Sequence, residues 1–203
     1  MTLNIKKLSI SYGNMPVINN FNYIFNDSGL YMFFAPNGSG KTSIFRAIMG
    51  LIASKNMGIT IDGKNVQQNK DKIFYYESSN WMDNNMSGLD YLKFIKSQWR
   101  SKVSVKATID FFNMNNYIKK PIKKYSLGMK QKLLFSLYLI SDAKYLIMDE
   151  INNGLDAESR KRLFLKIKKL SQEKCIIISS HYKDELLPYV DKKLTIHNCE
   201  VIC

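Results

Sequence analysis

Leu30-Tyr31-Met32-Phe33-Phe34-Ala35-Pro36-Asn37-Gly38-Ser39-Gly40-Lys41-Thr42-Ser43 reads as a buried strand, a tight loop and the start of a helix. The continuous apolar run over residues 30–34 suits a strand covered on both faces. Pro36, Gly38 and Gly40 then break the strand. From Ser43 to Ala53 the spacing of Ile44, Ile48, Leu51 and Ile52 predicts one apolar helical face. Strand, small-residue loop and helix in this order are one unit of an α/β fold.

The loop has the phosphate-binding pattern G-x-x-x-x-G-K-[ST], with Ala35 at the first Gly position. Small residues let the chain curl so that successive N–H groups point inward at phosphate oxygens. The helix that follows adds its positive N-terminal end. Asn37, Gly38, Ser39, Gly40, Lys41, Thr42 and Ser43 are therefore candidate nucleotide-binding residues. Lys41 supplies charge for the β- and γ-phosphates and Thr42 a hydroxyl for Mg²⁺. Ala35 is tolerated wherever φ is negative, since only a positive φ demands glycine.

A second apolar strand, Tyr145-Leu146-Ile147-Met148, ends in Asp149-Glu150. Carboxylates at the C-terminal end of such a strand stand where α/β sheets bind ligands. Asp149 is a candidate ligand of Mg²⁺, and Glu150 a candidate base for the water that attacks the γ-phosphate. A third strand, Cys175 to Ser179, leads to Ser180-His181, which places His181 as a candidate catalytic residue at the same edge.

The remaining elements follow by periodicity. Leu3, Ile5, Leu8, Ile10 and Tyr12 largely alternate with polar residues, Gly13-Asn14 marks a turn, and Phe21, Tyr23 and Phe25 alternate again. Short strands are expected at Ile59–Ile61 and Ile73–Tyr76. Helices are expected over Leu89–Trp99, Val105–Tyr117, Leu127–Ile140 capped by Ser126, Ala157–Leu170 and Lys183–Tyr189, with a last strand at Leu194–His197. The inner face of the helix after Ser126 would carry Met129, Leu133, Leu137 and Ile140. The expected fold is a single α/β domain over residues 1–203 with a mainly parallel sheet. It carries an N-terminal antiparallel β subdomain and a helical subdomain inserted at about 88–135.

Composition agrees with a globular chain: 203 residues, 45% hydrophobic and 23% charged. The longest nearly unbroken apolar run, Leu133 to Ile140, is far shorter than the roughly 20 residues of a membrane span. Cys175, Cys199 and Cys203 show no paired or metal-ligand spacing, and free thiols in a cytoplasmic protein are expected. The net charge is +13, with 26 Lys against 4 Arg. Eleven basic residues and one acid, Asp110, lie between Lys93 and Lys132. Such a run suits an anionic neighbour, either phospholipid or nucleic acid, but a solvated basic face is the weightier reading, and a Lys- and Asn-rich codon bias explains much of the charge.

Tyr125-Ser126-Leu127-Gly128-Met129-Lys130-Gln131-Lys132 resembles the signature motif of ATP-binding cassette (ABC) ATPases. Asn153-Gly154-Leu155-Asp156 is similar to their D-loop, Ser180-His181 to their switch histidine, and Tyr12 to the aromatic residue that stacks on adenine. The resemblance runs from Tyr12 to the last strand. It implies an ATPase that uses ATP and Mg²⁺ and works as a head-to-tail dimer. In that arrangement Ser126 and the Gly128 N–H clasp the γ-phosphate bound to a second cassette. It also implies a separate transmembrane permease partner and a place on the inner face of the cell membrane. The Ser-Leu-Gly-Met-Lys-Gln form is similar to bacterial exporters of the ABC-2 kind.

Four positions depart from the family pattern: Leu127 for Gly, Met129 for Gln, Ile151 for Pro, and Glu77 or Ser78 where a Gln is expected. The resemblance makes Glu77 a third candidate metal contact beside Thr42 and Asp149. The alternative function is a soluble, non-transport ABC ATPase acting on nucleic acid or the ribosome. Such proteins generally carry two cassettes or a coiled-coil arm, and the chain shows neither pattern, which weighs against nucleic acid as the partner.

Overall fold

The computed structural model describes residues 2–52, 58–180 and 182–203. The chain opens with a long antiparallel pair, β1 (Thr2–Tyr12) and β2 (Met15–Asn26), joined at Gly13-Asn14. Strand β3 (Gly29–Phe34) leads through the loop into helix α1 (Lys41–Ile48). Strands β4 (Gly58–Ile61) and β5 (Lys64–Asn65) return to β1, giving a four-stranded sheet in the order β2-β1-β4-β5. Strand β6 (Ile73–Tyr75) precedes three helices, α2 (Gly88–Gln98), α3 (Val105–Phe111) and α4 (Leu127–Ser141). Then follow β7 (Tyr145–Met148), α5 (Ala157–Ser171), β8 (Cys175–Ser179), α6 (Lys183–Leu186), β9 (Lys192–His197) and β10 (Glu200–Ile202).

The second sheet has the order β10-β9-β3-β8-β7-β6, parallel throughout except for the β9–β10 hairpin. Because side chains alternate along a strand, each central strand feeds two cores. Tyr31, Phe33, Tyr145, Ile147, Cys175 and Ile177 pack with α1 and the N-terminal sheet. Leu30, Met32, Leu146, Met148, Ile176 and Ile178 pack with α4, α5 and the helices before them. The sheet is therefore covered on both faces, which explains the continuous apolar strands. With β3, β7 and β8 adjacent, the loops after Phe34, Met148 and Ser179 emerge at one edge.

Most expected elements are present, and three α-helices are shorter than periodicity alone predicted, the last of them, α6, passing into a 3-10 turn at Leu187–Tyr189. Helix α1 stops at Ile48 because Gly50 takes φ 67°, with Gly50 N–H bonded to Ala47 O at 3.0 Å and Leu51 N–H to Arg46 O at 2.8 Å. This is a left-handed stop that turns the chain before Leu51, which is exposed. The expected end at Ala53 lies outside the described residues. Helix α3 ends at Phe111, not Tyr117, by the same device: Asn113 adopts φ 54° and Met114 N–H bonds Ile109 O at 3.1 Å. Strand β10 was not expected. Its turn places Asn198 and Cys199 at φ 48° and 63°, the paired left-handed geometry of a two-residue hairpin.

Helix α4 is buried nearly all round, including Leu134, Phe135 and Tyr138 as well as the expected Leu133, Leu137 and Ile140; Met129 is half-buried. Tyr138 explains how a tyrosine fits there. Its hydroxyl donates to Ile147 O at 2.5 Å and accepts from Tyr76 N–H at 3.1 Å. That bond pair ties the helical region to the ends of β6 and β7. Among the described residues no helix is long and apolar enough to cross a membrane.

Candidate functional site

A cleft of about 440 Å³ opens where β3 and β7 end. Asn37, Gly38, Gly40, Lys41, Thr42 and Ser43 line one side, and Asp149 and Glu150 the other. Tyr12, Met15 and Val17 from the N-terminal sheet form its outer wall. Gly40 has φ 103°, and a Cβ there would stand 2.6 Å from Val17 Cγ1, so glycine is required on both conformational and steric grounds. As the residue before α1, Gly40 also offers no side chain to cap the helix. Ser39 Oγ is buried without a hydrogen-bond partner.

Lys41 is buried, with its Nζ donating to Ala35 O at 2.7 Å and Pro36 O at 2.9 Å. The lysine thus braces its own loop, and its charge lies within the curl that phosphates would enter. Thr42 Oγ1 donates to Asp149 Oδ2 at 2.5 Å. The other oxygen, Oδ1, accepts from Ser179 Oγ at 2.6 Å. Ser179 in turn accepts from Glu150 N–H at 3.1 Å. Glu150 lies in the left-handed region at φ 49°, a conformation of about 1–3 kcal/mol strain that is typical of functional turns. Ser179 is fully buried on β8, so the two carboxylates are held from the neighbouring strand.

Tyr12 bonds Ser43 Oγ at 3.1 Å through its hydroxyl and keeps about half its surface exposed. An exposed ring beside the loop suits stacking on a base. Ser126 caps α4, accepting from Met129 N–H at 3.3 Å. Ser126 and Gly128 do not line the cleft; Gly128 stands by Gly154, whose carbonyl would be 2.9 Å from a Cβ on Gly128. His181 lies outside the described residues.

Glu77 does not line the cleft either. Its carboxylate accepts from Arg46 Nε at 2.6 Å and Nη2 at 2.5 Å, and from the Tyr75 hydroxyl at 3.0 Å. The Arg46 hydrogen bonds hold Glu77 below the usual carboxylate range, and burial pushes the Tyr75 phenol up. Glu77 is thus paired with Arg46, one helical turn beyond Thr42 on α1. The sequence reading passed over Arg46, as it did Ser179, Met15 and Val17. Arg46 and Ser179 carried a signal, since one follows the loop by a single helical turn and the other ends a core strand beside Asp149.

Phosphate loop, acidic strand end and an aromatic wall in one cleft define a phosphate-loop nucleoside triphosphatase. A family model described as ABC transporter matches residues 18–153, and the chain belongs to that family as an ATP-binding, ATP-hydrolysing cassette. It is 31% identical over 187 residues to the lantibiotic transport ATP-binding protein SrtF of Streptococcus pyogenes, covering 91% of this chain and 82% of that one. It is 28% identical over 208 residues to the bacitracin transport ATP-binding protein BcrA of Bacillus licheniformis, covering 96% of this chain and 66% of that one. A solved ATP-binding subunit of an ABC transporter superposes with a TM-score of 0.89 at 19% identity, covering all of this chain and 89% of that one.

Proposed function

We propose that the chain drives a bacterial exporter whose membrane-spanning part is a separate permease, on the inner face of the cell membrane. The observation that carries this reading is the split of the ATP-handling residues. Lys41, Thr42, Asp149 and Glu150 share one cleft, whereas Ser126 and Gly128 stand outside it. A γ-phosphate held by this loop would be clasped only by the Ser126 and Gly128 of a second cassette. Two cassettes would thus close on ATP and part after hydrolysis, and the permease would follow that motion. The names of SrtF and BcrA support a peptide antibiotic as cargo.

The residues fit Mg-ATP. Thr42 and Asp149 present a hydroxyl and a carboxylate 2.5 Å apart, the hard oxygen donors that Mg²⁺ accepts alongside phosphate and water. When bound, Mg²⁺ neutralises charge on the β- and γ-phosphates. Loop N–H groups and Lys41 hold the phosphate oxygens, and Tyr12 stacks on adenine. Glu150 takes the proton of the attacking water as its oxygen bonds the γ-phosphorus and the bond to ADP breaks. His181 is proposed to hold the γ-phosphate from the end of β8. Glu77 is the third proposed metal contact, reaching the metal through an oxygen that also accepts from Arg46.

Tagged Glu150→Gln protein recovered from its own cells in mild detergent with Mg-ATP tests the assignment. A multi-span membrane protein in stoichiometric amount supports it. Ribosomal proteins or nucleic acid, with no membrane partner, would overturn it and favour the non-transport alternative.

A further inference from the structure

The signature turn and the turn that carries Glu150 touch each other within one chain. Gly154 has φ 73°, and a Cβ there would meet Leu127 Cδ2 at 2.6 Å and Cγ at 2.7 Å. A Cβ on Gly128 would meet the Gly154 carbonyl at 2.9 Å. The two glycines bring the backbones together, and the Leu127 side chain covers the contact while remaining about half exposed. Leu127 stands where the family pattern has a glycine, so this cover depends on a side chain that a glycine would not supply.

The turn under Leu127 is short and internally bonded. Asn153 N–H bonds Glu150 O at 3.2 Å, and Leu155 N–H bonds Asn152 O at 3.4 Å. Leu155 O accepts from Arg160 Nη1 at 2.7 Å. Arg160 also forms a two-pronged pair with Glu185, at 3.0 Å for each bond, and lies 4.1 Å from the centre of the Tyr182 ring. Asn152 Nδ2 donates to Ser180 Oγ at 3.0 Å from a fully buried position. The Glu150 turn is thus fixed on its inner side by β8 and α5. On its outer side the Leu127 side chain rests on Gly154. A second bridge joins the same two regions, since Lys132 Nζ lies 3.6 Å from Asp156 Oδ2.

We infer that Leu127 is a positioning residue for Glu150: by packing on Gly154 it makes the signature turn and the catalytic turn move as one body. The inference rests on Glu150 acting as the base. Displacement of the α4 N-terminus would then be felt at Glu150, four residues from Gly154. Residues in such direct contact show non-additive effects when both are changed. The geometry also says which change should compensate which. Leu127 Cβ would stand 3.5 Å from a Cβ on Gly154, an ordinary contact, so the collision comes only from Cγ and Cδ2. Leu127→Ala therefore removes the collision that Gly154→Ala would meet and leaves only the strain of an alanine at φ 73°.

The test uses the full chain and three variants: Leu127→Ala, Gly154→Ala and the double variant. Gly154→Ala should lower kcat by about tenfold, with nucleotide affinity within about twofold of the parent. The double variant should turn over several-fold faster than Gly154→Ala alone, because the collision is gone. A double variant as slow as Gly154→Ala, or slower, would overturn the inference, as would full activity in Gly154→Ala. Amide-hydrogen exchange provides a readout that needs no turnover. In Leu127→Ala, exchange over residues 151–155 should rise about tenfold while residues 73–75 stay unchanged. Unchanged exchange over 151–155 would sink the inference, even if the chain hydrolysed no ATP. Parent protein without turnover, but with the exchange effect present, would instead remove the role given to Glu150.

Discussion

Both Nε and Nη2 of Arg46 grip the Glu77 carboxylate, so the residue standing at the family's glutamine position is tied to the helix of the phosphate loop. Among the described residues, Arg46→Ala would leave a largely buried carboxylate with the Tyr75 hydroxyl as its side-chain partner. The loss should be about 1–2 kcal/mol at pH 7, kept modest because more than a third of the Arg46 side chain is exposed. Since the Arg46 bonds depress the folded-state pKa of Glu77, their contribution is full above its unfolded value and fades as pH falls through the folded one. Urea unfolding at pH 7 and under acid conditions should therefore show parent and variant converging in acid. A gap that grows in acid would contradict the assignment.

Ser179 joins Asp149 and Glu150, and its removal should disturb both. Ser179→Ala leaves Asp149 Oδ1 and the Glu150 N–H without their partner. A stability loss of about 1–3 kcal/mol is expected for such orphaned buried groups. Turnover should fall by about ten- to a hundredfold as the two carboxylates lose their registration. Thermal unfolding together with steady-state ATPase assays at saturating Mg²⁺ would read both. A variant with normal kcat would show that Ser179 orients nothing of importance.

Lys41 bonds two carbonyls of its own loop, Ala35 and Pro36, which holds its charge where phosphates would lie. Lys41→Ala should weaken ATP binding by about ten- to a hundredfold, the range expected on losing charge-assisted bonds. Titration with a fluorescent nucleotide checks this. Affinity equal to the parent's would remove Lys41 from the phosphate site.

Glu150→Gln keeps the shape of the side chain and takes away its basicity. Hydrolysis should fall by about 10²- to 10⁴-fold while ATP still binds. Size-exclusion chromatography with Mg-ATP should then reveal a trapped dimer. Ser126→Arg in the same background should leave ATP binding unchanged and abolish the dimer. Persistence of the dimer would dismiss the clasp by Ser126. Ser126→Ala, which removes the helix cap along with the proposed clasp, should cost about 1 kcal/mol of stability.

Residue order alone carried the α/β class, the strand–loop–helix unit at Leu30–Ser43, the acidic strand end at Asp149-Glu150 and the capped helix after Ser126. These are local events: a run of apolar side chains, a glycine at positive φ, a serine hydroxyl bonded three residues on. Each is written within about ten consecutive residues, so each is legible in one dimension. The helix ends at Gly50 and Asn113 were equally local, but apolar spacing continues past both and masked the left-handed stops.

Tertiary structure decided what the spacing of residues cannot express. Glu77 and Arg46 lie 31 positions apart, Ser179 and Asp149 30 apart, and Gly154 and Leu127 27 apart. The first two pairs meet because β3, β8, β7 and β6 stand side by side and bring their loops to one edge, and the third because the start of α4 reaches the loop after β7. Glu77 is the partner of Arg46 because the chain leaving β6 lies against α1, a contact that the local sequence of neither residue announces. A side chain's chemical type is set by the sequence, but its partner is set by the packing that delivers it there.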